Sequence, residues 1–140
     1  MMDFPVNCLR GIPNNDFLVG DGSVASHLFT FKDEDKRDDG WIEQSINWED
    51  DNSALAFTLK QLNDKGEIQF KAGIAVLPRS ELDHITKQPS VSGILAYERQ
   101  PLEDNQYHGN ILLKADTPKP TKKRIAATLA TFVSYTVRRD

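Results

Sequence analysis

The chain has little cysteine and no long hydrophobic run. Its 140 residues include one cysteine, Cys8, which has no second cysteine with which to form an internal disulfide bond. No apolar run approaches the roughly 20 residues that a membrane-spanning helix needs, and the first residues lack the basic and apolar regions of a signal peptide. These absences predict a cytoplasmic protein without membrane association.

Signatures of common catalytic and cofactor sites are also missing. The sequence contains no Gly-rich phosphate loop, no GxSxG elbow, no HExxH helix, no paired CxxC and no EF-hand loop. The histidines are isolated from one another, and the acids at residues 49–51 adjoin a predicted helix start, where carboxylates are favoured anyway. We therefore expect no metal site and no cofactor.

The composition is that of one globular domain. Hydrophobic residues make up 39% of the chain and charged residues 27%, which argues against disorder along its whole length. A chain of this length can bury a core of its own. We predict a single domain over residues 1–140.

Charge is distributed unevenly along the chain. Residues 33–51 hold nine acids against Lys36 and Arg37, whereas residues 119–140 hold six bases against one acid. Residues 32–40 are almost wholly charged and end in Asp-Gly, which predicts an exposed acidic loop. The net charge of −4 argues against nucleic acid as a partner, since nucleic-acid-binding domains usually carry a basic surface.

Hydrophobic periodicity predicts the order of strands and helices. Strand patterns occupy residues 6–12, 41–48, 68–77, 92–99 and 107–114. Helical spacing occupies residues 54–65, 80–88 and 119–138, while residues 24–31 fit a short helix and a strand equally well. Because strict β–α alternation is absent, we predict an α+β fold: a mostly antiparallel or mixed sheet covered by two or three helices.

His108 is the leading candidate for a catalytic group. It opens a predicted strand after a tight turn and is flanked by Asn105 and Asn110, which are candidate ligand-binding residues. Histidine can exchange a proton near neutral pH, so it suits a general acid or base. The alternative is that His108 and Asn105 only close the turn through backbone hydrogen bonds.

Three other polar residues are candidates for the same site. Ser45 and Asn47 share one face of the strand predicted at residues 41–48, where they either face solvent or line a pocket. Arg10 stands among apolar residues, so it must reach water or an anionic partner. That partner is either a ligand phosphate or one of the protein's own carboxylates.

Several short motifs together resemble a set of short bacterial proteins with no assigned activity. They are LRGI at residues 9–12, DGSVASHLF at 21–29, SINW at 45–48 and PLEDNQYHGNILL at 101–113. The resemblance extends over most of the chain. It implies a bacterial single-domain protein and carries no mechanism with it.

Two functions fit these observations. The first is an interaction or regulatory module that binds another protein through its acidic loop or its basic C-terminal helix. The second is a small enzyme or nucleotide-binding protein in which Arg10 holds an anion, Ser45 and Asn47 orient the substrate, and His108 transfers a proton. The missing motifs favour the first, and the polar residues of the resemblance favour the second.

Overall fold

The computed structural model describes residues 5–20 and 23–138. These residues form strands β1 (Asn7–Ile12), β2 (Leu18–Val19), β3 (Ser23–Val24), β4 (Trp41–Trp48), β5 (Gly73–Pro78), β6 (Leu95–Arg99), β7 (His108–Lys114) and β8 (Tyr135–Arg138). The α-helices are α1 (Ser53–Lys60), α2 (Arg79–Thr86) and α3 (Lys119–Thr131). Short 3-10 turns occupy Asn15–Phe17, Ser26–Phe29 and Asp33–Asp35.

Six strands form one antiparallel sheet. Their order is β6-β7-β4-β1-β5-β8, and β2 and β3 pair with each other in a separate two-stranded ribbon. Every neighbouring pair in the large sheet runs antiparallel. The predicted α+β class with a helix-covered antiparallel sheet is therefore confirmed. No helix of the described residues is both long and apolar enough to cross a membrane.

One face of the sheet carries most of the hydrophobic core. Side chains alternate between the two faces of a strand, and on this face β4 and β7 contribute large apolar residues that are buried with residues of α2 and α3. The residues that these strands and helices contribute include Ile42, Ile46, Trp48, Leu82, Ile85, Ile111, Leu113, Ile125 and Leu129. Burial of each aliphatic side chain stabilises the fold by roughly 1.5–3 kcal/mol. We call this the core face.

The opposite face carries a smaller apolar cluster beneath α1. There Leu9, Ile74 and Val76 form a smaller cluster with Ala54 of the helix. Helix α1 contacts β1, β4 and β5. The part of this face on β4, β7 and β6 carries most of its polar residues, together with the apolar residues Leu112 and Ala96.

Strands β1 and β4 are paired over a short length only. Their register includes two pairs, Cys8 with Trp48 and Leu9 with Asn47. Towards its other end β4 pairs instead with the preceding segment, where Lys36 bridges to Ile42. A gap therefore opens in the sheet between β1 and the middle of β4.

The C-terminal segment differs from the prediction. Helix α3 ends at Thr131 and residues 135–138 form the edge strand β8 against β5, so the helix predicted over 119–138 is wrong for its last residues. Their apolar spacing continues that of the helix, but Thr136 and Val137 are β-branched and suit a strand. The backbone N–H of Ser134 donates to the carbonyl of Val76 at 2.9 Å, which begins the pairing with β5.

Other predicted segments are shorter or more ordered than expected. Residues 32–40 are mostly exposed, as predicted for the acidic loop, but they contain a 3-10 turn and the bridge from Lys36. Within residues 24–31 neither a full helix nor a strand forms, and a 3-10 turn follows β3. The strands predicted from residues 68 and 92 begin at Gly73 and Leu95.

Candidate functional site

A row of polar side chains lies on the face of the sheet opposite the core face. The register places Ser45 of β4 beside Asn110 of β7, and Asn110 beside Glu98 of β6. Two positions further along β4, Asn47 lies beside His108. Because directly paired residues point to the same face of a sheet, these five residues form one continuous group, which we call the polar row.

A pocket of about 450 Å³ opens at one end of the polar row, beside α1. This volume lies within the range of small-molecule sites. Its polar lining includes Ser45, Asn47, Thr58, Gln61, Asn105 and His108. Its apolar lining includes Leu9, Phe57, Leu62, Phe70 and Leu102.

Asn47 is the centre of a hydrogen-bond network in the pocket wall. Its Nδ2 donates to Thr58 Oγ1 at 2.8 Å and to Gln61 Oε1 at 2.7 Å. Its Oδ1 accepts from Asn105 Nδ2 at 2.9 Å. Asn47 and Asn105 are 4% and 5% exposed, so these amides are held by protein partners rather than by bulk solvent. The network fixes the orientation of all three carboxamides.

Gln61 has an unused donor in this arrangement. Its Oε1 is engaged by Asn47, and its side chain lines the pocket. Residues 5–20 and 23–138 supply no acceptor for its Nε2 among the hydrogen bonds found. Gln61 can therefore donate to a bound molecule without breaking a bond of the fold.

Asn105 has a second role in the turn before β7. Its Oδ1 accepts from the backbone N–H of Tyr107 at 3.0 Å, and its backbone pairs with that of Leu102. Asn105 therefore closes the turn, as one predicted alternative had it, and lines the pocket as well. The two interpretations of this residue are compatible.

The ring of His108 is held at both nitrogens. Nδ1 lies 2.9 Å from the carbonyl oxygen of Gln100, which can only accept, so Nδ1 carries the proton in the neutral ring. Nε2 is then an acceptor, and it lies 3.3 Å from Ser45 Oγ. Ser45 can donate its hydroxyl proton to His108 in this geometry.

Arg10 does not join the pocket. Its neighbours Leu9 and Gly11 line the pocket, and the alternation of β1 directs the Arg10 side chain away from it. In the gap between β1 and β4, Arg10 Nη1 donates to the backbone carbonyl of Ser45 at 2.7 Å and Nε donates to that of Leu28 at 3.1 Å. These backbone carbonyls are the hydrogen-bond partners of Arg10, and its side chain also lines a separate pocket together with Asp35.

The charge of Arg10 is retained despite its burial. Desolvation lowers the pKa of Arg10 to about 10, and the negative charge of Asp35 opposes that shift. The guanidinium is therefore protonated at neutral pH. Arg10 thereby provides a hydrogen-bond donor for the backbone carbonyl of Ser45 in β4, at a point where β1 is no longer paired with β4.

Asn110 lies outside the pocket, in a neighbouring ion-pair cluster. It is fully buried, and its Nδ2 donates to Glu98 Oε2 and to Gln100 Oε1, each at 2.8 Å. Glu98 is paired with Arg37 at 2.6 Å. The hydrogen bonds that Arg37 donates to Asp39 and Glu98 raise its pKa, so Arg37 stays charged and paired with Glu98 beside the polar row.

The structure therefore brings together four of the six predicted site residues. Ser45, Asn47, Asn105 and His108 line one pocket, whereas Arg10 and Asn110 are engaged elsewhere.

Thr58 and Gln61 belong to the pocket but were not predicted. Thr58 lies in α1, and Gln61 follows the helix directly as its C-cap. Their spacing of three places them on one helical face, and Thr58 is 1% exposed although it is polar. A polar residue on the inward face of an amphipathic helix is the signal that points to them.

The pocket carries little charge. Asp104 is the charged residue among those that line it, and no lysine or arginine of residues 5–20 and 23–138 does so. No group of three or more His, Cys, Asp or Glu side chains in the same ranges could hold a metal ion. Uncharged donors and acceptors thus dominate its chemistry.

Comparisons with protein-family models, with curated proteins and with solved structures found no significant match. The resemblance to a set of short bacterial proteins stays a prediction.

Proposed function

We propose that the pocket binds an uncharged polar molecule through its amide and hydroxyl groups. The observation that carries the proposal is the buried network around Asn47, which holds Gln61 and Asn105 in fixed orientations at the pocket wall. Burying carboxamides costs free energy unless every group is paired. A fold that only needed a stable sheet could bury apolar residues here, as it does on the core face.

The lining defines the class of ligand. A phosphate or carboxylate would meet Asp104 and no cationic side chain, so charge disfavours anions. Phe57 and Phe70 offer aromatic surface for an apolar or planar part of the ligand. A molecule with a flat or apolar body and carboxamide or hydroxyl groups, such as a nucleoside or an acylated sugar, matches both features.

A peptide segment of a partner protein is a second candidate ligand. Leu62 and Leu102 line the pocket with 58% and 44% of their surface exposed. Apolar side chains at the mouth of a polar pocket suit a partner that covers the rim while it inserts one polar side chain. This candidate keeps the predicted protein-interaction role but places it at the pocket instead of at the acidic loop or the basic C-terminal helix.

A matched panel of small molecules tests the proposal. Nucleosides, N-acetylated sugars and small carboxamides are compared with their phosphorylated or carboxylated counterparts by ligand-observed NMR at millimolar concentration. We expect the neutral members to bind the wild type and to lose binding to Asn47→Leu. Binding should persist in Asn52→Leu, since Asn52 is exposed and makes no side-chain cap bond.

Two results would contradict the proposal. One is equal or tighter binding of the anionic counterparts, and the other is undiminished binding to Asn47→Leu.

Short neutral peptides with apolar residues form a separate arm of the panel. Tighter binding of these peptides than of any small molecule would favour the partner-protein candidate.

A further inference from the structure

We propose that Ser45 is a nucleophile activated by His108, and that the pocket transfers the acyl group of neutral carboxylic esters to water. The inference rests on the proposed function, because the substrate must first occupy the pocket. Its basis is the hydrogen bond between Ser45 Oγ and His108 Nε2 within the same lining.

The two side chains are placed by rigid strands. His108 is paired with Asn47, two positions from Ser45 on the adjacent strand, so Ser45 and His108 are diagonal neighbours on one face. The backbone carbonyl of His108 accepts from the N–H of Gln100 at 2.9 Å, and Gln100 in turn accepts from the imidazole. This reciprocal pair holds the ring in the tautomer that leaves Nε2 free to accept a proton.

Ser45 is available for reaction. Its hydroxyl makes one hydrogen bond among residues 5–20 and 23–138, the bond to His108, and the residue is exposed towards the pocket. A serine with a purely structural role in the sheet would be buried, with its hydroxyl hydrogen-bonded to backbone groups. A nucleophile must instead be reached by substrate and must contact its base.

The reaction proceeds in two balanced steps. Ser45 Oγ forms a bond to the ester carbonyl carbon while its proton passes to His108 Nε2. The bond from that carbon to the leaving alcohol oxygen then breaks, and the alcohol takes the proton. Water attacks the acyl-Ser45 ester with His108 as base again, which releases a carboxylic acid and restores Ser45.

The pocket lining also bears on the charged intermediate and on release of the product. Gln61 Nε2 is the available donor to the oxygen that becomes negative during attack. The released carboxylate meets Asp104 and no cation of the lining, so it is not retained. The partner of His108 Nδ1 is the neutral carbonyl of Gln100, and a carboxylate in this position would stabilise the protonated imidazole more strongly. We therefore expect slow turnover, and only with activated esters.

Covalent labelling tests the proposal directly. An alkyl fluorophosphonate is incubated with the folded protein, and the labelled peptide is identified by mass spectrometry; the Ser45 oxygen bonds to phosphorus and fluoride leaves. We expect one label per chain at Ser45, none in Ser45→Ala, and labelling slower by about 10²-fold or more in His108→Gln, the scale of general-base catalysis.

Ser26→Ala is the matched control. Ser26 is likewise an exposed serine near a histidine, in this case its sequence neighbour His27, but His27 packs against Phe17 with ring centroids 4.4 Å apart. The control should label like the wild type. Hydrolysis of p-nitrophenyl acetate should follow the same pattern, with an initial burst.

The outcomes separate this inference from the proposed function. No label at Ser45 in the folded wild type, or equal labelling rates in wild type and His108→Gln, overturns the nucleophile. If neutral molecules still bind under those results, the binding function stands. If Ser45 is labelled while the neutral panel does not bind, the nucleophile stands and the binding function fails.

Discussion

The two faces of the sheet differ although the same strands form both. On β4, Ile46 and Trp48 point into the core, whereas Ser45 and Asn47 point to the polar row. The core face is held mainly by apolar contacts, with a few hydrogen bonds such as the one that Trp48 Nε1 donates to the backbone carbonyl of Glu98. The other face is buried in part, yet it is held by specific hydrogen bonds between side chains, such as the one from Asn105 to Asn47.

The polar row is more than a solvated surface. Asn47 and Asn110 are 4% and 0% exposed, and both are hydrogen-bonded to other side chains. Solvent-facing sides of antiparallel sheets normally carry exposed polar residues that bond to water. The comparison teaches that apolar burial dominates one face, whereas side-chain hydrogen bonds hold polar groups in fixed orientations on the other.

The largest expected effect comes from the core face. Ile111→Ala removes a fully buried side chain from β7, three positions from His108. We expect the free energy of unfolding to fall by about 2–5 kcal/mol, while neutral ligands still bind the folded variant. Urea unfolding followed by circular dichroism measures the loss. A loss of binding in the folded variant would show that the two faces are not separable.

A smaller loss of stability is expected from the network of the polar row. Asn47→Leu leaves Gln61 Oε1 and Asn105 Nδ2 without their partner, which should lower the free energy of unfolding by about 1–3 kcal/mol. The comparison is with Asn52→Leu in the same urea titration. An unchanged midpoint in Asn47→Leu would mean that the buried amides relax to other partners.

Alkaline pH should lower the free energy of unfolding, because the thiol of Cys8 is buried in the core. Burial raises the pKa of the Cys8 thiol from its ordinary value of 9.0 to about 12. Between these values the unfolded chain releases a proton that the folded chain keeps, so stability is complete below pH 9 and falls above it. The limiting slope is about 1.4 kcal/mol per pH unit.

Urea titrations of the wild type and Cys8→Ala at pH 8 and pH 10 isolate this effect. The stability difference between them should shift by about 1 kcal/mol in favour of Cys8→Ala at the higher pH. The pKa of Tyr97 is also raised, mainly by burial, to about 12, but Tyr97 is common to both proteins and cancels. A difference that does not change with pH would contradict the burial of the thiol.

The smallest stability effect is expected at Ser45. Because the residue is exposed, Ser45→Ala should change the free energy of unfolding by less than about 0.5 kcal/mol. Its effect on covalent labelling should nevertheless be complete. A large loss of stability would instead show that the bond to His108 serves the fold.

Sequence periodicity predicted the parts of the fold that depend on local alternation. The strand at residues 41–48 coincides with β4 because most of its apolar and polar residues alternate, with Trp41 and Gln44 as the exceptions. The same alternation placed Ser45 and Asn47 on one face. Residues 135–138 could not be predicted in this way, because their spacing fits a helix and their strand depends on pairing with β5.

The position of Arg10 shows where local patterns stop being informative. Its partners are the backbone carbonyls of Ser45 and Leu28. The carbonyl of Ser45 can bond to Arg10 because β1 separates from β4 beyond their two paired positions. That divergence is a property of the sheet register and not of residues 7–12. Gln61 likewise enters the pocket only because α1 packs on β1 and β5.

Chemical-shift mapping of one neutral ligand from the panel tests the central claim most directly. In a two-dimensional ¹H–¹⁵N spectrum, the side-chain amides of Asn47, Asn105 and Gln61 should shift on titration, while backbone amides of α3 on the core side should not. Shifts confined to α3, or larger shifts with the phosphorylated counterpart, would contradict a site for uncharged ligands on the polar row.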